Sequence, residues 1–219
     1  MASLFEKTRP QTWADVVGQD KAVALLRKVK PGGRAFWLSG PSGSGKTTLA
    51  RILANEHCER WHVDEIDAQD CTLDYLRSIE ASMGYRGLGE KHGKAWIVNE
   101  AHGLRGAVLS RFLTLIERLP EHCFIVFTTT SAGQKALFED FDDASPLLSR
   151  CLVAPMAWHE YSATTAGPLT HAFAKRALEI ARAENIDGQP LERYIKLALE
   201  CKHNLRQMLS KIEAGEMLV

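Results

Sequence analysis

The run Gly40-Pro41-Ser42-Gly43-Ser44-Gly45-Lys46-Thr47 carries the clearest chemistry in the chain. It fills the pattern G-x-x-x-x-G-K-[ST] in full, after an apolar strand-like stretch and before a helical one. Glycines at these spacings let backbone N–H groups turn inward around phosphate oxygens, and a helix N-terminus adds partial positive charge. Lys46 then reaches the β and γ phosphates, the Thr47 hydroxyl is a ligand for Mg²⁺, and Thr48 continues the helix opening. The expectation is a site for ATP or GTP.

Hydrolysis needs further parts: an oxygen ligand near the metal, a group that orients water, and positive charge for the transition state. Ala95-Trp96-Ile97-Val98-Asn99-Glu100 ends an apolar strand in two polar residues, downstream of the loop. An Asp is expected at the first of them. Asn99 orients a metal-bound water through its amide oxygen but carries no charge, so Mg²⁺ affinity should fall. Glu100 is placed to polarise the attacking water.

These residues need a scaffold that brings strand ends together. Ala35–Ser39, Trp61–Ile66, Ala95–Val98, Cys123–Thr128 and Cys151–Ala154 read as strands. Helical patterns separate them: Lys46 to about Cys58, Leu73 to Met83, and Val108 to Leu119 before Pro120. Near-continuous apolar strands alternating with helices predict an α/β fold, a parallel sheet covered on both faces. Gly84–Lys94 reads as an exposed loop. After about Trp158 no strand recurs, and three helices are centred on Phe173, Ile195 and Met208. The expected domains are residues 1–157, α/β, and 158–219, all-helical.

Composition narrows the function classes. The chain has 219 residues, 45% hydrophobic and 25% charged, with 27 basic and 27 acidic side chains. A neutral chain excludes a polybasic DNA-coating protein, so any DNA contact must come from a local patch. No apolar run approaches a membrane span of about 20 residues. The N-terminus lacks a signal-peptide pattern, and a cytoplasmic location is expected. The five cysteines (Cys58, Cys71, Cys123, Cys151, Cys201) form no C-x-x-C pair and read as reduced, buried thiols. The histidines show no metal spacing. Trp13, Trp37, Trp61 and Trp96 read as core residues.

Several short segments, in order around the phosphate-binding loop, resemble a known family. Glu6-Lys7-Thr8-Arg9-Pro10 and Val16-Val17-Gly18-Gln19 resemble its opening E-K-Y-R-P…V-V-G-Q. Glu65-Ile66-Asp67-Ala68-Gln69-Asp70 resembles E-[LI]-N-A-S-D, Ser149-Arg150-Cys151 matches S-R-C, and Asn204-Leu205-Arg206 resembles G-D-L-R. On these residues the chain resembles the clamp-loader-type AAA+ ATPases: replication factor C small subunits, their phage counterparts and the bacterial gamma/tau subunit.

The resemblance implies a P-loop NTPase core with a parallel five-stranded sheet and a small helical lid. It implies ATP and Mg²⁺ as cofactors, and other AAA+ subunits, a sliding clamp or other replication protein, and primed DNA as partners. It implies an adenine pocket around Arg9, Pro10, Val16, Val17 and Gly18. Arg150 would be an arginine finger acting on a neighbour's ATP, and Arg206 the lid's sensor of the γ-phosphate. Arg77 would contact DNA phosphates, with Arg86, Lys91, Lys94 and Arg105 on the same face. Departures stand at Thr8 (Tyr in the family), Asn99 (Asp), and Thr130 (a water-orienting Asn). The zinc module of the gamma subunit has no counterpart, nor has the family's C-terminal collar. Two readings follow: an ATPase that places a clamp on primed DNA, or an ATP-gated regulatory switch, similar to a helicase loader, with weak or no hydrolysis.

Overall fold

The computed structural model describes residues 3–130, 144–156 and 167–218. The chain divides into two compact units. One is Lys21–Met156; the other joins Met1–Asp20 to Ala157–Val219.

The first unit is the α/β one. Its strands are β1 (Arg34–Ser39), β2 (Cys58–Asp67), β3 (Gly93–Asn99), β4 (Cys123–Thr129) and β5 (Cys151–Pro155). They form one sheet in the order β2-β3-β4-β1-β5, and each pairing is parallel. The helices numbered after α1 (Leu4–Lys7) are α2 (Asp20–Lys28), α3 (Lys46–His57), α4 (Leu73–Met83), α5 (Gly106–Ile116) and α6 (Ala144–Ser149). The strands read continuously apolar because both sheet faces are covered; β4 is buried along its whole length. Phe127, from β4, packs edge-on against Phe112 of α5 at 5.3 Å between ring centres. Edge-to-face contact suits the ring quadrupoles.

Edge strand β2 departs from expectation. It begins at Cys58, not Trp61, and its pairing with β3 shifts register between Cys58 and Val63. Trp61 lies in that irregular stretch with 70% of its surface exposed, so it is not a core residue. An edge strand has a neighbour on one side only, and a bulge there turns side chains outward. Helix α5 stops at Ile116. Arg118 N–H then donates to Leu115 C=O and Leu119 N–H to Ile116 C=O, tighter turns that unwind the helix before Pro120.

The second unit holds α7 (Pro168–Ala183), α8 (Leu191–Glu200) and α9 (Leu205–Glu213). Phe173, Ala177, Leu197, Met208 and Ile212 make its core, with Leu4 of α1 buried among them and Val17 packed against it. Leu4 N–H donates to Glu213 Oε1 at 3.1 Å, and Lys7 pairs with Glu184. Residues 1–20 therefore group with the helical unit, where a continuous 1–157 α/β domain was expected. A four-residue helix cannot bury its own apolar side chain, and the α7–α9 core supplies the cover. The boundary expected at 157/158 lies outside the described residues.

Candidate nucleotide-binding site

Strand order builds this site. β1 lies between β4 and β5, and β3 lies beside β4, so the C-terminal ends of β3, β4 and β1 are adjacent. In open parallel sheets ligands bind at that edge. Ser39, Asn99 and Thr129 end these three strands, and Gly40 and Glu100 follow the first two directly.

The loop leaves β1 tightly. Gly40 N–H donates to Thr129 C=O at 3.2 Å, and a side chain at Gly40 would meet Met156 Cβ at 2.6 Å. Gly45 stands at φ 93° as the N-cap of α3, a conformation that L side chains rarely adopt. Lys46 is buried and its Nζ donates to Gly40 C=O at 3.0 Å and Pro41 C=O at 2.8 Å. The ammonium is thus held inside the loop by weak neutral acceptors that a phosphate would outcompete. Ser44 Oγ is buried without a protein partner among the described residues. An orphaned hydroxyl in a glycine cradle is what a phosphate-binding loop presents to its ligand.

Asn99 sits at the centre of a hydrogen-bond circuit. Its Oδ1 accepts from Thr47 Oγ1 at 3.1 Å and from Thr128 Oγ1 at 2.9 Å. Its Nδ2 donates to Glu65 Oε1 at 2.8 Å. Glu65 in turn accepts from Arg51 Nε at 2.6 Å and Arg51 Nη2 at 3.0 Å. Thr47 and Arg51 stand one turn apart on α3, which closes the circuit. Thr128 is the hydroxyl that reaches Asn99; Thr130, expected in the water-orienting place, follows the end of β4 and its C=O accepts from Thr129 Oγ1 at 3.3 Å.

Glu100 is left-handed, at φ 49° and ψ 46°. A non-glycine residue there stores strain of about 1–3 kcal/mol. The turn aims a half-exposed carboxylate off the strand end, with His102 Nδ1 3.4 Å from Glu100 Oε2. His102 Nδ1 also lies 3.1 Å from Thr129 Oγ1, tying Glu100 to β4. Arg150 Nε donates to Glu117 Oε1 at 2.7 Å and its Nη1 to Pro146 C=O at 2.9 Å.

In the helical unit, Asn204 caps α9 by accepting from Gln207 N–H at 3.2 Å, which sets Arg206 in the exposed first turn. The Arg206 guanidinium lies 4.8 Å over the Phe5 ring. Arg9 Nε donates to Glu6 Oε2 at 3.2 Å, Val17 packs on the helical core, Pro10 and Val16 are half-buried, and Gly18 takes φ 77°.

The expected DNA-facing group separates. Arg77 is exposed on α4 and pairs with Asp74 at 2.5 Å; Arg86 is exposed. Lys91 Nζ donates to Asn55 C=O near the end of α3. Lys94 is a correction: it is buried, and its Nζ donates to Ser82 C=O at 2.8 Å and Ser82 Oγ at 3.0 Å. Its charge answers the last carbonyls of α4 instead of solvent. Burial keeps the thiols in the protonated, weakly nucleophilic form near neutral pH. Burial pushes Cys58 and Cys151 up to about 12 and Cys71 and Cys123 up to about 11. Among the described residues no cluster of three or more His, Cys, Asp or Glu is placed to hold a metal, and no helix is long and apolar enough to cross a membrane.

Sequence reasoning gave Arg51, Thr128 and His102 no role in this site, and read Glu65 only as part of a motif. Each is an ordinary polar residue until the sheet order is known.

A parallel sheet with a glycine cradle at the C-terminal end of β1, beside the central strand β4, defines a P-loop fold. The family described as "ATPase family associated with various cellular activities (AAA)" matches residues 36–153, more than half of the chain, which therefore belongs to that family. The chain is 30% identical over 175 residues to DNA polymerase III subunit tau of Bacillus subtilis, covering 68% of this chain and 30% of that protein. It is 31% identical over 156 residues to DNA polymerase III subunit gamma/tau of Mycobacterium tuberculosis, covering 58% of this chain and 27% of that one. It thus spans under a third of either relative. Among solved structures, RuvB of Thermotoga maritima superposes with a TM-score of 0.70 at 19% identity, covering 94% of this chain and 64% of that chain. A DNA polymerase III gamma subunit-related protein of the same organism gives 0.53 at 19% identity, covering 84% and 57%. At these identities the structures speak to fold alone.

Proposed function

We propose that this chain binds ATP with Mg²⁺ and hydrolyses it slowly, as one subunit of an assembly that acts on a sliding clamp and primed DNA. The observation that carries the proposal is the complete phosphate-binding loop whose Thr47 touches Asn99 and whose strand edge also presents Glu100. The relatedness to DNA polymerase III gamma/tau subunits supports the replication setting.

The residues suit Mg²⁺. That ion takes oxygen ligands, usually one or two from protein beside phosphate oxygens and waters, and Thr47 Oγ1 with Asn99 Oδ1 is such a pair. When bound, Mg²⁺ neutralises charge on the β and γ phosphates. Both protein oxygens are neutral here, which favours weak metal binding. Lys46 holds the phosphates, Glu100 orients and accepts a proton from the attacking water, and Arg150 stabilises transition-state charge on the ATP of a neighbouring subunit. Arg77 and Arg86 offer phosphate contacts that anchor DNA without reading sequence.

The test is ATP turnover against protein concentration, with and without a sliding clamp and primed DNA. Turnover per subunit that rises with concentration and with these partners supports the proposal; ATP that never promotes a complex with either overturns clamp loading. The neutral Asn99 specifically favours a second reading, an ATP-gated switch that binds nucleotide and barely hydrolyses it.

A further inference from the structure

The side chain of Asn99 has two unlike ends, and only one orientation leaves an oxygen facing Thr47. The hydroxyls of Thr47 and Thr128 cannot choose between the ends, because a hydroxyl donates or accepts as needed. Glu65 can choose. A carboxylate held by an arginine only accepts, so the end of Asn99 that faces it must be the NH₂ group. Reversing the amide would set two acceptor oxygens 2.8 Å apart and turn an N–H pair toward Thr47. Glu65 is itself locked by the two-pronged bond from Arg51, whose fork geometry fixes a carboxylate plane in a way one ammonium cannot.

We propose that Glu65, held by Arg51, is the positioning residue of the metal site: it fixes the Asn99 amide with Oδ1 toward Thr47, so a neutral residue still presents an oxygen to the cation. Glu65 acts through Asn99 and touches neither nucleotide nor metal. Outer groups that orient a ligand are worth about 10–100-fold in metal affinity elsewhere. The requirement is particular to an amide. A carboxylate at position 99 has two equivalent oxygens and no orientation to choose.

The Mg²⁺ part rests on the nucleotide-binding reading above, so the test has two arms. The first measures ATP affinity with Mg²⁺ and with EDTA for wild type, E65Q, N99D and the double variant. The glutamine that E65Q introduces still offers Arg51 an oxygen, but its own amide lets Asn99 turn. We expect E65Q to cut the Mg²⁺-dependent gain in affinity about 3–10-fold with Asn99 present, and to cause no loss in the N99D background, where it also relieves two carboxylates that face each other. Equal losses in both backgrounds would make Glu65 a merely structural residue and overturn the proposal. Should E65Q not fold, R51K keeps a cation but loses the fork and carries the same expectation in smaller measure.

The second arm needs no nucleotide. The side-chain NH₂ of Asn99, assigned by its disappearance in N99D, should show one proton shifted downfield and protected from solvent exchange by nuclear magnetic resonance. That signature should vanish in E65Q. Its absence from the wild-type protein overturns the positioning role. Its presence, with no Mg²⁺ effect on ATP binding by the wild type, keeps the positioning role and overturns the metal reading.

Discussion

Arg150 is bonded to Glu117 of its own chain, Nε to Oε1 at 2.7 Å. The pair is partly solvent-exposed on both sides, so it is worth about 1 kcal/mol or less. Removing the partner should therefore loosen the guanidinium at little cost, leaving its bond to Pro146 C=O. E117A is expected to raise ATP turnover at low protein concentration by no more than about 5-fold, and R150A to abolish the rise with concentration while leaving ATP affinity intact. Steady-state turnover over a concentration series checks both.

Lys46 and Glu100 should separate binding from chemistry. Lys46 is buried against two loop carbonyls, so K46A removes the loop's fixed cation and should eliminate measurable ATP binding by calorimetry. E100Q keeps the shape of the turn and its left-handed backbone. Binding should persist while single-turnover hydrolysis falls about 10²–10⁴-fold, the range for loss of a general base.

Lys94 and Arg77 should part in the same manner for DNA. K94M leaves the α4 carbonyl unanswered in a buried place and should lower the unfolding temperature by several degrees with DNA affinity unchanged. R77A should leave stability intact and reduce the slope of log affinity against log salt by about 1. Fluorescence anisotropy with primed DNA from about 50 to about 200 mM salt reads the second effect.

Asp187 anchors the helical unit. Arg182 Nε donates to its Oδ2 at 3.0 Å, and Tyr194 Oη and Gln189 N–H donate to its Oδ1. The Arg182 hydrogen bond, the largest influence, holds its carboxyl below the ordinary 3.8, with Tyr194 and Gln189 adding to it against the opposing effect of burial. A depressed folded pKa means stability present above about pH 3.8 and lost as pH falls through the folded value. Protection factors for hydrogen exchange in α7–α9 should therefore fall in acid below that point, and D187N should remove most of that acid dependence.

The phosphate-binding loop, the α/β alternation and the helical C-terminal part are all legible along the chain. Those signals are local: glycine spacing, apolar runs and helical periodicity lie in consecutive residues. The apolar run before them likewise puts Asn99 and Glu100 at a strand end. What surrounds them follows from the packing of distant strands. Glu65 and Thr128 lie 34 and 29 residues from Asn99 along the chain, and the order β2-β3-β4-β1 makes them its neighbours. The same holds for Leu4, whose burial on α9 no periodicity could reveal, and for Trp61, which an edge-strand bulge turned outward. Whether a polar side chain is a solvated surface group or one link in a circuit depends on which strand comes to lie beside it, and that is settled by the packing of the whole sheet.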